Sequence, residues 1–224
     1  MILAIDTSTD NASLALVHGD ESPTELVWRC EQNHTVELLP HLARLLDEAR
    51  VDIKSISGVI VAKGPGSFNG LRAGISTAKG LAFSLRVPII GISSLEAVAY
   101  GHAETGLPVC PIFNAGRGEI ATAIYQRKDN EWRRLVAEHI TTLDALYSGI
   151  TTKTIFCGEF VPQVASELEK QLKERAVIAA TDPPRARLLV ELGKRRLEAG
   201  DYDHLATLQP LYLRRPAITQ PKHR

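Results

Sequence analysis

The chain has few cysteines, and none of them is placed as a disulfide framework or a metal knuckle requires. Among its 224 residues the only cysteines are Cys30, Cys110 and Cys157, an odd number with no CxxC pair. A zinc knuckle needs paired cysteines at short spacing, and a disulfide framework needs an even set. The sequence therefore supports neither.

The chain also lacks an excess of charge and a long apolar run. Lys plus Arg and Asp plus Glu each total 26, so the formal net charge is zero. Proteins that bind nucleic acid on their own usually carry a basic excess, so such binding is not favoured. No apolar run approaches the roughly 18 residues of a membrane span, and the start MILAIDTS has no basic segment before its apolar residues. We expect a soluble, cytoplasmic protein without membrane contact.

The residues that are present fit a globular α/β protein. Hydrophobic residues make up 44% and charged residues 23% of the chain, which is typical of folded domains. Hydrophobic periodicity predicts the element order βββαβαβα twice. We therefore expect an N-terminal lobe at 1–105 and a C-terminal lobe at 106–224. The second lobe would end in a basic, solvated tail from Arg214 to Arg224.

The turn after the first predicted strand holds a carboxylate followed by hydroxyl groups. Asp6, Thr7 and Ser8 stand at the tip of the opening hairpin. Such a tip can surround a phosphate and, through the carboxylate, bind Mg²⁺. It can equally be a turn stabilised by its own hydrogen bonds. Both interpretations stay open from the sequence.

The segment GPGSFNGLR, starting at Gly64, predicts a tight passage from a buried strand to a helix. Glycines at 64, 66 and 70 allow unusual backbone angles. Backbone amides at the start of a helix can hold an anion, which makes Gly64 and Gly66 candidate anion-binding residues. The segment matches neither GxGxxG nor the P-loop pattern, so a purely structural turn is the alternative.

The two helices predicted in the first half have unusual surfaces. Apolar residues cover a wider arc of the helix at 35–50 than one core face needs. The outer side of the helix at 71–86 carries small, uncharged residues, which let another helix approach closely. We predict a docking surface on this helix pair. The alternative is that the face packs beneath the other lobe of its own chain.

No catalytic or metal-binding constellation emerges from the motifs. His34 and His41 are seven positions apart, or about 10.5 Å along a helix, too far for one metal ion. The position four residues after His34 is Leu38. There is no GxSxG motif and no cysteine in an activated setting. We predict no catalytic residue and no metal.

Five features together resemble the bacterial TsaB family, also called YeaZ. They are MILAIDTSTDNASLAL at the start, His34 with the helix that follows it, GPGSFNGLRAG at 64–74, SSLEAVAY at 93–100 and PLYLRR at 210–215. The family is a branch of the actin-like, sugar-kinase and Hsp70 ATPase superfamily. The resemblance implies an α/β fold of two duplicated actin-like (ribonuclease H-like) lobes.

The resemblance also implies a role. Members of this family are noncatalytic partners that bind and stabilise TsaD, with the ATPase TsaE in the larger complex. TsaD transfers threonylcarbamoyl to the adenosine 3′ of the anticodon in tRNAs that read ANN codons. No cofactor is required, and weak binding of ATP or ADP stays open. The alternatives are an ATP-dependent small-molecule kinase and a metallopeptidase of the same superfamily.

Docking in this family uses the two helices of the first half. Carried over to this chain, the partner-binding residues are Leu38, His41, Leu42, Leu45, Ala73, Thr77 and Gly80. The same helices imply a homodimer when TsaD is absent, and tRNA contact mainly through the partner. Two positions depart from the usual family pattern. Asn69 stands where threonine is common, and Asn114 where an aspartate is common.

Overall fold

A computed structural model describes residues 1–30 and 33–214. The predicted basic tail lies outside the described residues from position 215 onward. The ten strands are β1 (Ile2–Asp6), β2 (Asn11–Val17), β3 (Thr24–Arg29), β4 (Gly58–Gly64), β5 (Ile89–Ser93), β6 (Val109–Gly116), β7 (Glu119–Lys128), β8 (Glu131–Thr141), β9 (Thr154–Cys157) and β10 (Ala176–Ile178). The α-helices are α1 (His34–Glu48), α2 (Phe68–Leu85), α3 (Ser94–Tyr100), α4 (Leu143–Gly149), α5 (Val161–Leu172) and α6 (Arg185–Glu198).

The strands form two five-stranded sheets with the same topology. The first sheet has the order β3-β2-β1-β4-β5 and the second the order β8-β7-β6-β9-β10. In each sheet the first three strands run antiparallel and the last two join in parallel. This arrangement confirms the predicted duplicated, actin-like architecture with βββαβαβα in each half.

The central strands of the first sheet are buried almost along their whole length, which explains their continuous apolar sequence. In β4, the run from Gly58 to Ala62 is entirely buried, because helices cover both faces of a parallel sheet. The neighbouring β1 is buried from Leu3 to Asp6. The charged residue Asp6 therefore lies at the buried end of β1. The groups that contact its carboxylate determine what the hairpin tip can bind.

The last helix of each half packs on the sheet of the other half. Leu95 and Val98 of α3 belong to a core cluster with strands β6, β7 and β9. Leu189 of α6 belongs to a cluster with β1, β4 and β5. The two sheets follow the halves of the sequence, whereas these helices cross between them. The division at 1–105 and 106–224 stays a prediction.

Two helix ends differ from the predicted bounds for local reasons. Helix α2 begins at Phe68 rather than at 71, because the Ser67 hydroxyl caps it by accepting from the Gly70 amide. In the second half, periodicity predicts a helix over 162–175, but α5 ends at Leu172 because Lys173 adopts a φ of +53°. In the described part of the chain, no helix is both long and apolar enough to span a bilayer.

Candidate functional site

The tip of the opening hairpin is buried and internally hydrogen-bonded. Asp6, Thr7 and Ser8 are each at most 1% exposed. One carboxylate oxygen of Asp6 accepts from the Ser8 amide at 2.8 Å and from the Ser8 hydroxyl at 2.6 Å. The other accepts from Nε of Arg185 at 2.8 Å. Both oxygens are thus engaged within the chain.

Arg185, the first residue of α6, joins the two halves. Besides Asp6 it forms an ion pair with Glu159, which lies between β9 and α5. Its Nη2 donates to Thr9 Oγ1 at 2.7 Å. Burial lowers the pKa of the guanidinium, but the charges of Asp6 and Glu159 outweigh burial and raise the pKa well above its usual range. Arg185 is therefore a permanent internal cation beside Asp6.

The glycines of the 64–74 segment let α2 approach the hairpin tip. A Cβ atom on Gly66 would lie 2.1 Å from the Ser8 carbonyl oxygen, and one on Gly70 would lie 2.0 Å from that of Thr7. Thr7 Oγ1 donates to the Gly70 carbonyl at 2.7 Å. No larger residue fits without a backbone shift, so the segment is required for this packing.

The structure brings the predicted nucleotide-binding residues together, but their polar groups have partners. The Gly64 amide donates to the Ser94 hydroxyl at 3.1 Å, and the Asp6 carboxylate faces Arg185 rather than an open cation position. A cleft of about 310 Å³ does adjoin Ser8 and Gly66. These contacts do not fit Mg²⁺–nucleotide binding through Asp6. The role of Asp6, Thr7, Ser8, Gly64 and Gly66 in nucleotide or anion binding stays a prediction.

The histidines of α1 occupy structural positions. His34 is 1% exposed, and its Nε2 lies 3.0 Å from the Thr9 carbonyl oxygen. The His41 ring packs on the Trp28 ring with centroids 4.3 Å apart. Their contacts hold α1 against the first sheet and the hairpin tip.

The predicted docking residues of α1 require a correction. Leu38, Leu42 and Leu45 are at most 3% exposed and belong to the core of the first half. Their spacing of three and four residues places them on the inner side of the helix, against the sheet and α2. They cannot contact a partner while the chain stays folded. The wide apolar arc of α1 comprises this core stripe and a second, exposed stripe.

The exposed stripe supplies the residues that the prediction missed. Val36 is 72% and Leu39 is 56% exposed on α1, and Phe83 is 77% exposed on α2. Gly80 is exposed, with open space where a side chain would stand. Together these four residues are called the α1–α2 face below. The predicted Ala73 and Thr77 are half-buried on α2. The sequence did contain a signal for Phe83, because it is an aromatic residue on the outer side of α2, where the other residues are small.

A second group missed by the sequence analysis lies near the start of α6. Ligand atoms of His102, Cys157 and Asp182 all lie within 4.8 Å of one another. Burial, and then the charge of Asp182, raise the pKa of the Cys157 thiol well above its usual range. A buried, protonated thiol is a poor nucleophile. The three residues are 55 and 25 positions apart, so no local motif could reveal them.

Comparison with known proteins identifies the family. The family model of TsaD, tRNA N6-adenosine threonylcarbamoyltransferase, matches residues 28–222. The "tRNA threonylcarbamoyladenosine biosynthesis protein TsaB" of Bacillus subtilis is 34% identical over 218 residues, covering 95% of this chain and 93% of that protein. The chain belongs to the TsaB family. The Escherichia coli TsaB is 36% identical over 131 residues, covering 58% of this chain and 56% of that protein.

Solved structures agree with the TsaB assignment. A Pseudomonas aeruginosa protein described as "YeaZ" superposes with a TM-score of 0.76 at 26% identity, covering 95% of this chain and 99% of that one. A second structure, described as having "similarity to peptidase YEAZ" from the same organism, gives a TM-score of 0.80 at 26% identity and the same coverage. The TsaB fold thus extends over both halves of the chain.

Proposed function

We propose that this chain is a noncatalytic subunit of the machinery that makes threonylcarbamoyladenosine in tRNA. It binds and stabilises a TsaD-type subunit, which transfers threonylcarbamoyl to the adenosine 3′ of the anticodon in tRNAs reading ANN codons. The observation that carries the proposal is the alignment with the Bacillus subtilis TsaB over 93% of that protein's length. The proposed role places the chain with tRNA in the cytoplasm.

The interior of the hairpin tip supports the noncatalytic part of the proposal. Phosphoryl transfer needs a carboxylate that can hold Mg²⁺ beside the phosphates, and here Arg185 neutralises Asp6. On α1, the residue four positions after His34 is the buried Leu38. The Asp6–Arg185 ion pair counts against a kinase. The leucine at position 38 counts against a metallopeptidase that uses a histidine pair on this helix.

The α1–α2 face supports docking. Val36 and Leu39 are large, exposed apolar groups three positions apart on α1, and exposed apolar patches mark interaction surfaces. On α2, Phe83 is exposed and the space where a side chain of residue 80 would stand is open. We propose that this face binds the TsaD-type subunit and pairs with a second copy of the chain when that subunit is absent. TsaE joins the larger complex. Because the net charge of this chain is zero, tRNA is held mainly by the partner.

A matched pair of leucines tests the docking face. Leu39→Asp places a charge on the α1–α2 face, whereas Leu135→Asp places one on β8 at nearly the same exposure, 56% against 52%. We expect Leu39→Asp to weaken binding to the TsaD-type subunit of the same organism by at least about tenfold, measured by calorimetry, and Leu135→Asp to have no effect. Equal affinities for both variants would contradict docking through this face.

Depletion tests the cellular role. We expect tRNA from cells depleted of this chain to lose threonylcarbamoyladenosine, measured by nucleoside mass spectrometry, and a plasmid copy with Leu135→Asp to restore it. Unchanged modification after depletion would refute the proposed function. Submicromolar binding of Mg-ATP by the isolated chain would instead favour the kinase alternative.

A further inference from the structure

Three segments distant in sequence meet at the carboxyl end of β9, an interior strand of the second sheet. His102 follows α3, Cys157 ends β9, and Asp182 lies in the loop between β10 and α6. His102 Nε2 is 3.1 Å from Asp182 Oδ1, and the three candidate ligand atoms lie within 4.8 Å of one another. They come together because α3 packs on the second sheet while the chain crosses back to the first sheet through α6.

The three groups are those that zinc prefers. Imidazole nitrogen, thiolate sulfur and carboxylate oxygen bind Zn²⁺ at about 2.0–2.3 Å, which puts neighbouring ligands of a tetrahedral ion roughly 3.3–3.6 Å apart. The His102–Asp182 distance is already close to this value. Because the three atoms lie within 4.8 Å of one another, the cysteine sulfur needs to approach its neighbours by at most about 1.2–1.5 Å to complete the set. A soft sulfur ligand disfavours Mg²⁺ and Ca²⁺.

The surroundings orient the carboxylate and leave a path for an ion. The second oxygen of Asp182 accepts from the Gly158 amide at 2.9 Å, an outer contact of the kind that fixes metal-binding carboxylates. Cys157 is buried, while the side chains of His102 and Asp182 are 15% and 27% exposed. A cavity of about 400 Å³ adjoins Asp182, but His102 and Cys157 do not line it. The partial exposure of the His102 and Asp182 side chains is what gives an ion, and a water molecule as fourth ligand, access to the site.

We propose that His102, Cys157 and Asp182 bind one Zn²⁺ ion. On binding, the Cys157 S–H bond breaks and its proton leaves to solvent, while bonds form from zinc to the sulfur, to one nitrogen of neutral His102 and to a carboxylate oxygen of Asp182. No electron is transferred. The ion would tie the end of α3, the end of β9 and the loop leading to Arg185 into one unit. This inference is independent of docking through the α1–α2 face.

Cobalt substitution tests the site directly. The full chain, stripped with a chelator, is titrated with Co²⁺, because a bound thiolate gives an intense near-ultraviolet charge-transfer band. We expect one Co²⁺ per chain, the band, and its displacement by Zn²⁺. We expect Cys157→Ser to abolish the band and to weaken Zn²⁺ binding at least about 100-fold, since even loss of an outer contact costs 10–100-fold. Cys30→Ser, at another buried cysteine, is the matched control.

The outcomes separate a zinc site from a hydrogen-bonded group. Absence of the band in the unsubstituted chain, or its persistence in Cys157→Ser, would overturn the proposal. Should Cys157→Ser fail to fold, His102→Gln and Asp182→Asn decide the matter. Each is expected to weaken Zn²⁺ binding at least about tenfold, while the exposed-site variant His18→Gln leaves it unchanged. Equal affinity in His102→Gln, Asp182→Asn and His18→Gln would place the metal elsewhere and refute the assignment.

Discussion

The two halves present equivalent hairpin tips that differ in almost every contact. The first tip, residues 6–10, joins β1 to β2 and is buried at its first three positions. The second tip, residues 114–118, joins β6 to β7 and is largely exposed. In the first tip Asp6 binds Ser8 and a guanidinium. In the second, the Asn114 side chain accepts only from the Gly116 amide, at 2.8 Å, among the described residues.

The difference arises from the helices that follow, not from the sheets. Gly64 at the end of β4 and Gly158 after β9 have similar φ values, +107° and +102°, so the strand-to-helix turn is preserved in both halves. Helix α2 then carries Gly70 and Gly74 against the first tip, whereas α5 contains no glycine. The two halves therefore share the strand-to-helix turn, but only the first half has a helix that packs closely against its hairpin tip. The first tip became interior structure, and the second stayed at the surface.

The largest effect on this contrast between the two tips is expected from removing the positive charge of Arg185. Arg185→Met leaves the Asp6 carboxylate buried without a counter-charge, which should lower the free energy of unfolding by about 3–5 kcal/mol, measured by urea denaturation. Arg117→Met, at the exposed second tip, should change it by less than about 0.5 kcal/mol. Adding Asp6→Asn to Arg185→Met should restore part of the loss, because the unpaired charge is removed. Similar losses at Arg185 and Arg117 would refute the asymmetry.

A smaller effect is expected from filling the close approach of α2. Gly70→Ala drives a methyl group to 2.0 Å from the Thr7 carbonyl oxygen, and should lower the free energy of unfolding by about 1–3 kcal/mol. Gly80→Ala on the same helix meets open space and should raise it by roughly 0.5–1 kcal/mol. We therefore expect the melting temperature of Gly70→Ala to lie below that of the unsubstituted chain, and the melting temperature of Gly80→Ala to lie above it. If Gly70→Ala instead stabilised the chain, the hairpin tip would have to shift at little cost to make room for the methyl group, which would contradict the close approach of α2 as the reason for its burial.

The sequence predicts the fold far better than it predicts the contacts between distant residues. The repeated βββαβαβα order that hydrophobic periodicity predicts is confirmed. Local patterns are enough here because alternation and helical spacing are properties of short windows. Arg185, Glu159 and Asp6 meet only through the crossing of α6, which no short window contains. For the same reason the apolar arc of α1 could not be divided into its core side, with Leu38, and its exposed side, with Leu39.

The smallest expected effect concerns the acid that the second tip lacks. Asn114→Asp keeps an oxygen for the Gly116 amide, so the free energy of unfolding should change by less than about 0.5 kcal/mol. We also expect no gain in Mg-ATP binding, measured by calorimetry, because Asp6 stays paired with Arg185 and a single new carboxylate leaves the first tip closed to Mg²⁺. A clear gain would mean that the surface tip alone controls nucleotide binding. It would also mean that the burial of Asp6 is not what separates the two halves.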